Sequence, residues 1–301
     1  MMSKEEFQDV ILEELHRQFP QGYSLSVIDV LKSNDTPYTG ITITKEGSSI
    51  GTTMYVEHLY EDYQRGATPE TIAEHCREQY DSQDLETDIP KFDKDFVLTN
   101  VYYRMANEDQ NRRRFQDVPT WKAPGVDDIV LYPCVAVTVA GRNGVTIIHE
   151  SQMESLGITR EELHESAIRN TEARIEIQPL KNVLAGIVPG AEPEQFDSPL
   201  LIAMDKDSHA MVGGASPLAA PSAFAQLKEP CYILPSSVHE LLLIPASSVE
   251  DEDYLRSMVK DVNMNVMEAE DILSYNIYKV DEGKFQTLSL GMEKDLHAEV
   301  G

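Results

Sequence analysis

Tyr232-Ile233-Leu234-Pro235-Ser236-Ser237-Val238-His239-Glu240-Leu241-Leu242-Leu243-Ile244-Pro245 is the stretch whose reading decides the fold. It places a compact polar group between two short apolar runs, and runs that short, apolar and fenced by proline read as buried strands. Pro235 has no N–H to give a ladder, so the chain is expected to turn over Pro235, Ser236 and Ser237 before residues 241–244 return. A core hairpin results, with Ser236, Ser237, His239 and Glu240 at its mouth.

Working outward on the C-terminal side, Ser248 is expected to cap a helix over residues 249–262, whose acidic start suits the helix dipole. A short helix over 267–273, a strand over 277–280 and the turn Asp281-Glu282-Gly283 follow. Residues 291–301 are charged and unpatterned and read as a frayed tail. On the N-terminal side, residues 221–227 read as a small-residue helix packed on the same sheet. Residues 200–204 and 209–212 read as another hairpin. Gly213-Gly214-Ala215-Ser216-Pro217 permits close backbone approach and a change of direction. Val188-Pro189-Gly190-Ala191-Glu192-Pro193 is marked by proline and glycine and is the expected boundary between subdomains.

The first half is patterned just as clearly. Ser3 and Glu6 have capping-box spacing ahead of a helix over 3–19 that carries Phe7, Val10, Ile11, Leu15 and Phe19 on one face. Residues 23–31 and 40–44 alternate around a turn-rich connection, which predicts a hairpin with one wet face. Residues 54–63 read as helical. Thr68-Pro69-Glu70 supplies the N-cap, N1 proline and first-turn acid of a second helix. From Phe96 the pattern is that of a strand through Val97, Leu98, Val101, Tyr102 and Tyr103, then a short helix over 107–115. That helix places the amides of Asn107 and Asn111 one turn apart on one face, bonding backbone or facing a ligand. Residues 129–139 and 145–149 form the clearest hairpin, with Asn143-Gly144 as its turn signal. A helix over 151–156 follows, and Thr159-Arg160-Glu161-Glu162 is a second capping box opening a helix to about Asn170.

The chain has 301 residues, 41% of them hydrophobic, enough for a substantial core. With 25 basic against 52 acidic side chains the formal charge is −27, which disfavours ordinary nucleic-acid binding. Residues 57–95 alone hold 12 acidic and 4 basic residues, expected as a solvated face. Arg112, Arg113 and Arg114 are a local exception and are expected to pair with the chain's own carboxylates. Cys76, Cys134 and Cys231 have no paired spacing, which argues against a disulfide framework or a structural zinc. No apolar run approaches the roughly 18 residues of a membrane span. The N-terminus has no apolar signal core, so a reducing, cytoplasmic compartment is expected.

No complete catalytic or cofactor signature is present, and neither a cofactor nor a metal is expected. A serine nucleophile needs a base within hydrogen-bond reach and an acid behind it. On an extended segment Ser237 and His239 lie roughly 6.8 Å apart and Glu240 points to the other face, so they form no triad among themselves. His239-Glu240 also lacks the second histidine of a zinc peptidase motif. The simpler reading is that hydroxyls satisfy turn amides while His239 and Glu240 pin the start of a strand.

Four passages resemble a domain-of-unknown-function family encoded mainly by anaerobic gut Firmicutes. They are Asn100-Val101-Tyr102-Tyr103-Arg104-Met105-Ala106-Asn107 with Asn111 and Val118-Pro119; the strand over 129–137; Gly157-Ile158-Thr159 through Leu163, Ala167 and Asn170-Thr171; and Tyr232 through Glu240. Gly213-Gly214-Ala215-Ser216-Pro217 departs from the asparagine-glycine-alanine kind of turn expected there. The resemblance implies an α+β protein of intracellular bacterial origin and transfers no mechanism.

The expected architecture is therefore α+β, with mainly antiparallel sheets in two sheet-and-helix subdomains, residues 1–182 and 183–290, followed by the tail. The expected function is non-enzymatic binding of a protein partner or small ligand, with Ser236, Ser237, His239 and Glu240 facing Asn107 and Asn111. Two other classes are carried beside it: a hydrolase that completes the Ser237, His239 and Glu240 cluster with partners from elsewhere, and an acidic decoy imitating DNA.

Overall fold

A computed structural model describes residues 2–48, 51–82, 91–139, 142–206, 214–235 and 237–288. Its fold is α+β, and its sheets are mainly antiparallel. Two compact units are present, one made of residues 1–91 with 137–144, the other of 92–136 with 145–301.

In the first unit, α1 (Lys4–Gln18) starts at the expected capping box, in which Ser3 accepts from the Glu6 amide and Glu6 reaches back. Phe7, Ile11 and Leu15, four residues apart, are fully buried on its inner stripe. The stripe packs with Ile41, Ile43 and residues of α3 (Pro69–Asp81), which opens at the Thr68 cap. The sheet runs β1 (Tyr23–Leu31), β2 (Pro37–Lys45), β3 (Gly51–Tyr55) in that order. Met54 and Tyr55, expected to be helical, instead end β3, and α2 (Val56–Gln64) begins immediately after them. The β3 ladder with β2 pairs Met54 with Ile41, so ladder bonds outweigh the local helical pattern.

The second unit opens with a correction. Phe96, Val97 and Leu98, expected to open a strand, lie instead in α4 (Lys94–Asn100), because the Asp93 side chain accepts from the Phe96 amide and caps a helix there. β4 (Val101–Asn107) follows and pairs with β6 (Ile129–Val139). β6 also pairs with the short β5 (Trp121–Lys122) and with β7 (Arg142–Ile147). α5 (Glu150–Leu156) ends at left-handed Gly157, and α6 (Arg160–Glu172) opens at the expected Thr159 capping box. The helix expected over 107–115 is only a 3-10 turn at Asp109–Asn111.

The 232–245 stretch forms the predicted hairpin: β10 (Cys231–Leu234) pairs with β11 (Glu240–Pro245), Ile233 opposite Leu243. Both lie inside a six-stranded sheet of order β13 (Lys284–Leu288), β12 (Ile277–Asp281), β10, β11, β9 (Leu201–Asp205), β8 (Ile175–Pro179). Tyr232, Leu234 and Ile244 meet Leu255 and Val259 of α9 (Glu252–Asn265), while Ile233, Leu241 and Leu243 on the opposite face are also fully buried. Each such side chain contributes about 1.5–3 kcal/mol on burial. This is why a polar insert between the two runs does not break the pairing. Asp251, not Ser248, caps α9, accepting from the amides of Asp253 and Tyr254. Residues 267–273 are turns rather than a helix.

The chain passes from the first unit to the second between Lys91 and Phe92, and residues 137–144 belong to the first. β8 and β9 pair across the proline-glycine segment from Ile175 opposite Asp205 to Pro179 opposite Leu201. That segment follows α7 (Leu180–Ile187) as a connection within one sheet. The strand expected over 209–212, the tail and Ser236 lie outside the described residues.

Candidate functional site

Ser237 is buried, and its Oγ accepts the His239 amide at 3.0 Å, the turn-satisfying role expected of it. His239 Nε2 lies 3.3 Å from Asp271 Oδ1, and the Val238 amide donates to the Asp271 carbonyl at 3.0 Å. An acid from another segment thus stands behind the imidazole. The same residue straps the hairpin mouth to the connection before β12. Glu240 is half-buried at the first position of β11, opposite Met204.

Asn107 and Asn111 are buried at the far end of β4. Asn107 Oδ1 accepts the Gln110 amide, and Asn111 Nδ2 donates to the Asn107 carbonyl at 2.8 Å. These bonds close the turn after the strand, the backbone use of an amide pair. Beside this turn, the Glu108 amide donates to the carbonyl of Asp128. The Asp128 carboxylate accepts from Ser274 Oγ at 2.5 Å, Asn276 Nδ2 at 3.0 Å and Tyr278 Oη at 2.9 Å. Burial, then the Asp128 charge, hold the Tyr278 phenol protonated far above its ordinary range. Asp128 therefore ties the β4–β6 sheet to the six-stranded one.

Two of the cavities lined by described residues lie away from these groups. The larger, about 630 Å³, is in the first unit, walled by four consecutive residues of β3, Thr52 to Tyr55, and by α2 and α3. His58, Asp62, Arg65 and His75 give it convergent polar groups. The His58 ring meets Tyr38 and Tyr55 edge-on at 5.5 and 5.8 Å, and His75 Nε2 bonds the Gln79 amide at 3.0 Å. Cys76 lines the same cavity, and burial, then the nearby Asp62 charge, push its thiol up to about 11. A second cavity of about 600 Å³ lies in the second unit between residues of β8 and the 223–229 segment. Among the described residues, no group of three histidine, cysteine or acidic side chains is placed to hold a metal ion.

A third cluster covers one face of β4 and β6. Tyr102, Arg104 and Ala106 stand opposite Cys134, Tyr132 and Val130. The Arg104 guanidinium lies 6.0 Å from the centre of the Tyr132 ring, and that of Arg114 lies 5.4 Å from it. Arg174 lies 4.2 Å over Tyr102, and its Nε and Nη2 both bond Asp205 Oδ2, at 3.0 and 2.7 Å.

Residues 4–282 match the model of a family of unknown function. The chain belongs to the DUF5688 family. No curated protein and no solved structure matches it.

In this DUF5688 protein the polar cluster on which the sequence reading centred is tied to Asp271, a partner more than thirty residues downstream that no local pattern announces. The α2 and α3 residues of the first-unit cavity fall in the 57–95 window whose acidity reads as a solvated face. The cavity's signal was the pair of histidines, His58 and His75, inside an otherwise acidic window. Arg104 also had a signal: a charged residue in the middle of the apolar run from Val101 to Ala106. None of the helices described is long and apolar enough to cross a membrane.

Proposed function

We propose that the chain is a non-enzymatic binding protein that holds a small polar ligand in the first-unit cavity. The observation that carries this reading is the cavity itself. It is of ligand size and is set on a strand and two helices, with imidazole, guanidinium and carboxylate groups converging on it. The serine and histidine of the hairpin mouth, in contrast, have bonds to backbone or to Asp271 that account for them structurally. The buried, unlinked thiols Cys76, Cys134 and Cys231 support a reducing, cytoplasmic setting.

The test is a thermal-shift screen of polar metabolites against the intact chain, followed by His58→Ala and His75→Ala. A ligand at a hundred times its Kd contributes about 2.7 kcal/mol to stability, a rise of several degrees that both variants should lose. A hit that stabilises both variants as strongly as the parent removes the cavity from the reading.

A hydrolase is the second reading, and Asp271 at 3.3 Å from His239 favours it. It requires turnover of an activated ester that disappears in both His239→Ala and Asp271→Asn while the fold is retained. Equal rates in parent and variants exclude this dyad.

A further inference from the structure

The first-unit cavity touches four consecutive residues of β3, from Thr52 to Tyr55. Successive side chains of a strand point to opposite faces, so a space that meets four in a row runs along the edge of the strand. β3 is the end strand of its sheet, with β2 on one side and, among the described residues, no strand on the other. The cavity is therefore a cleft between an open strand edge and a helical wall that includes Leu59 and Asp62 of α2 and Ile72 and His75 of α3.

Neighbouring bonds show which backbone groups of β3 face that cleft. The Thr39 amide donates to the Glu57 carboxylate at 3.1 Å, on the β3 side of β2, whereas the Glu46 amide donates to the Gly22 carbonyl at 2.8 Å, on the β1 side. Odd-numbered residues of β2 thus turn their backbone groups toward β3 and even-numbered ones toward β1, the alternation of an antiparallel ladder. Ile41 and Ile43 stand opposite Met54 and Thr52, so Met54 and Thr52 carry the bonds between the strands. Thr53, between them, points its N–H and C=O away from β2 and toward the cleft. Among the described residues, no backbone bond reaches Thr53 from that side. An edge with unpaired N–H and C=O groups is a template for another strand.

Charge and size narrow what that strand can be. α2 and α3 together carry seven acidic residues and one arginine, Arg77, which Asp81 holds at 2.8 Å. Arg65, the arginine of the cavity wall, is paired with Glu61 and Asp62 at 3.3 and 3.2 Å. Glu74 and Glu78 are exposed beside His75 and Gln79 of the wall, so the cleft as a whole favours a cation. Four residues of extended chain span about 13 Å. The volume of about 630 Å³ is in the range of sites that hold a ligand of that size.

We propose that the ligand of this cavity is a short basic peptide in extended conformation, which joins the sheet as a fourth strand by pairing with Thr53. The proposal rests on the reading of the cavity as the binding site and names its ligand class. Backbone bonds to Thr53 supply affinity, and the acidic wall selects lysine or arginine side chains.

Binding of a capped pentapeptide of alternating lysine and valine to the intact chain, followed by calorimetry and amide hydrogen exchange, tests the proposal. Its fully N-methylated form and the same peptide with glutamate for lysine serve as controls. The basic peptide should bind and slow exchange of the Thr53 amide at least tenfold, and both controls should bind at least tenfold more weakly. Thr53→Pro removes the outward N–H while Thr52 and Met54 keep their bonds to β2, and should weaken binding at least tenfold. Thr53→Val keeps the N–H and should bind as the parent does. The N-methylated peptide and exchange in the unmodified chain keep the test decisive if Thr53→Pro does not fold.

No binding of the basic peptide, or binding that leaves Thr53 exchange unchanged, overturns the proposal. Equal binding of the acidic peptide overturns its basic class. A Thr53 amide that is protected without peptide and loses protection on dilution places a second copy of the chain on the edge, and also overturns it. If polar metabolites stabilise the chain through His58 and His75 while the peptide does not bind, the cavity stands and only the ligand class falls. If the peptide binds His58→Ala and His75→Ala as tightly as the parent, the pairing lies outside the cavity and both fall.

Discussion

Arg174 and Arg104 both lie near Tyr102 in the second unit, and they differ in what stands opposite their charge. Arg174 is held by the fully buried Asp205, whose Oδ2 also accepts the Ala215 amide at 2.8 Å. The ion pair thus fixes the 214–217 segment beside β4, where the Ser216 amide also donates to the Tyr103 carbonyl. Arg104 faces rings and a thiol. The first arrangement is closed and belongs to folding. The second has no ion pair among the described residues and leans on its aromatic and thiol neighbours. Guanidinium groups that are chemically identical thus differ in what holds them according to whether the fold brings a carboxylate to them.

Breaking the closed arrangement should have the largest effect. Asp205→Ala leaves the Arg174 guanidinium without its acceptor and the Ala215 amide unpaired, and should cost about 3–5 kcal/mol in urea unfolding. A loss below about 1 kcal/mol would mean that the pair is not a structural lock. Next in size is Asp128→Ala, which removes a carboxylate satisfied by neutral donors instead of by an arginine. Ser274, Asn276 and Tyr278 lose a common acceptor, and about 2–4 kcal/mol should go with it. If that loss equals the Asp205 value, the charge of Arg174 adds nothing beyond hydrogen bonding, and the comparison fails.

Arg104→Met probes the arrangement without an ion pair. It removes a desolvated charge and keeps most of the side-chain volume among Tyr102, Tyr132 and Cys134, so stability should change by less than about 1 kcal/mol and can rise. Destabilisation as large as that of Asp205→Ala would show Arg104 to be a structural residue, held by its cation–π contact.

The parts of this fold that a sequence reader can find are those decided locally. Ser3 with Glu6 and Thr159 with Glu162 close their capping boxes at the residues their spacing indicates. The proline-fenced runs around Ser237 pair as strands because a short apolar run has few other ways to be buried. Where a distant partner decides, local pattern misleads. Phe96, Val97 and Leu98 look like a strand until Asp93 caps them. Met54 and Tyr55 look helical until β2 offers them a ladder. The candidate sites show the same division. His239 and Ser237 were visible as residue types, but Asp271 beside them was not. Arg104 was visible as a charge in an apolar strand, but the absence of a carboxylate opposite it depends on elements dozens of residues away.

The smallest predicted effect comes from the other face of β4. Tyr103 lies next to Arg104 in sequence and points away from it, with its hydroxyl 2.6 Å from His164 Nδ1. The His164 ring stacks on Trp121 at 5.3 Å, and the Arg160 guanidinium lies 4.8 Å from the same indole. Burial lowers the His164 pKa below its ordinary 6.5, and the Glu165 charge only partly opposes this. The unfolded chain therefore takes up a proton at His164 before the folded chain does. The stability due to the neutral ring is complete above pH 6.5 and is lost as pH falls from 6.5 through the lower folded value. Acidification also relieves the repulsion among the chain's carboxylates, so the useful quantity is the difference between the parent and His164→Gln. Urea midpoints measured from pH 7.5 to 5.5 should fall more in the parent than in the variant. Equal falls in parent and variant would remove the neutral His164 ring as a source of that pH dependence.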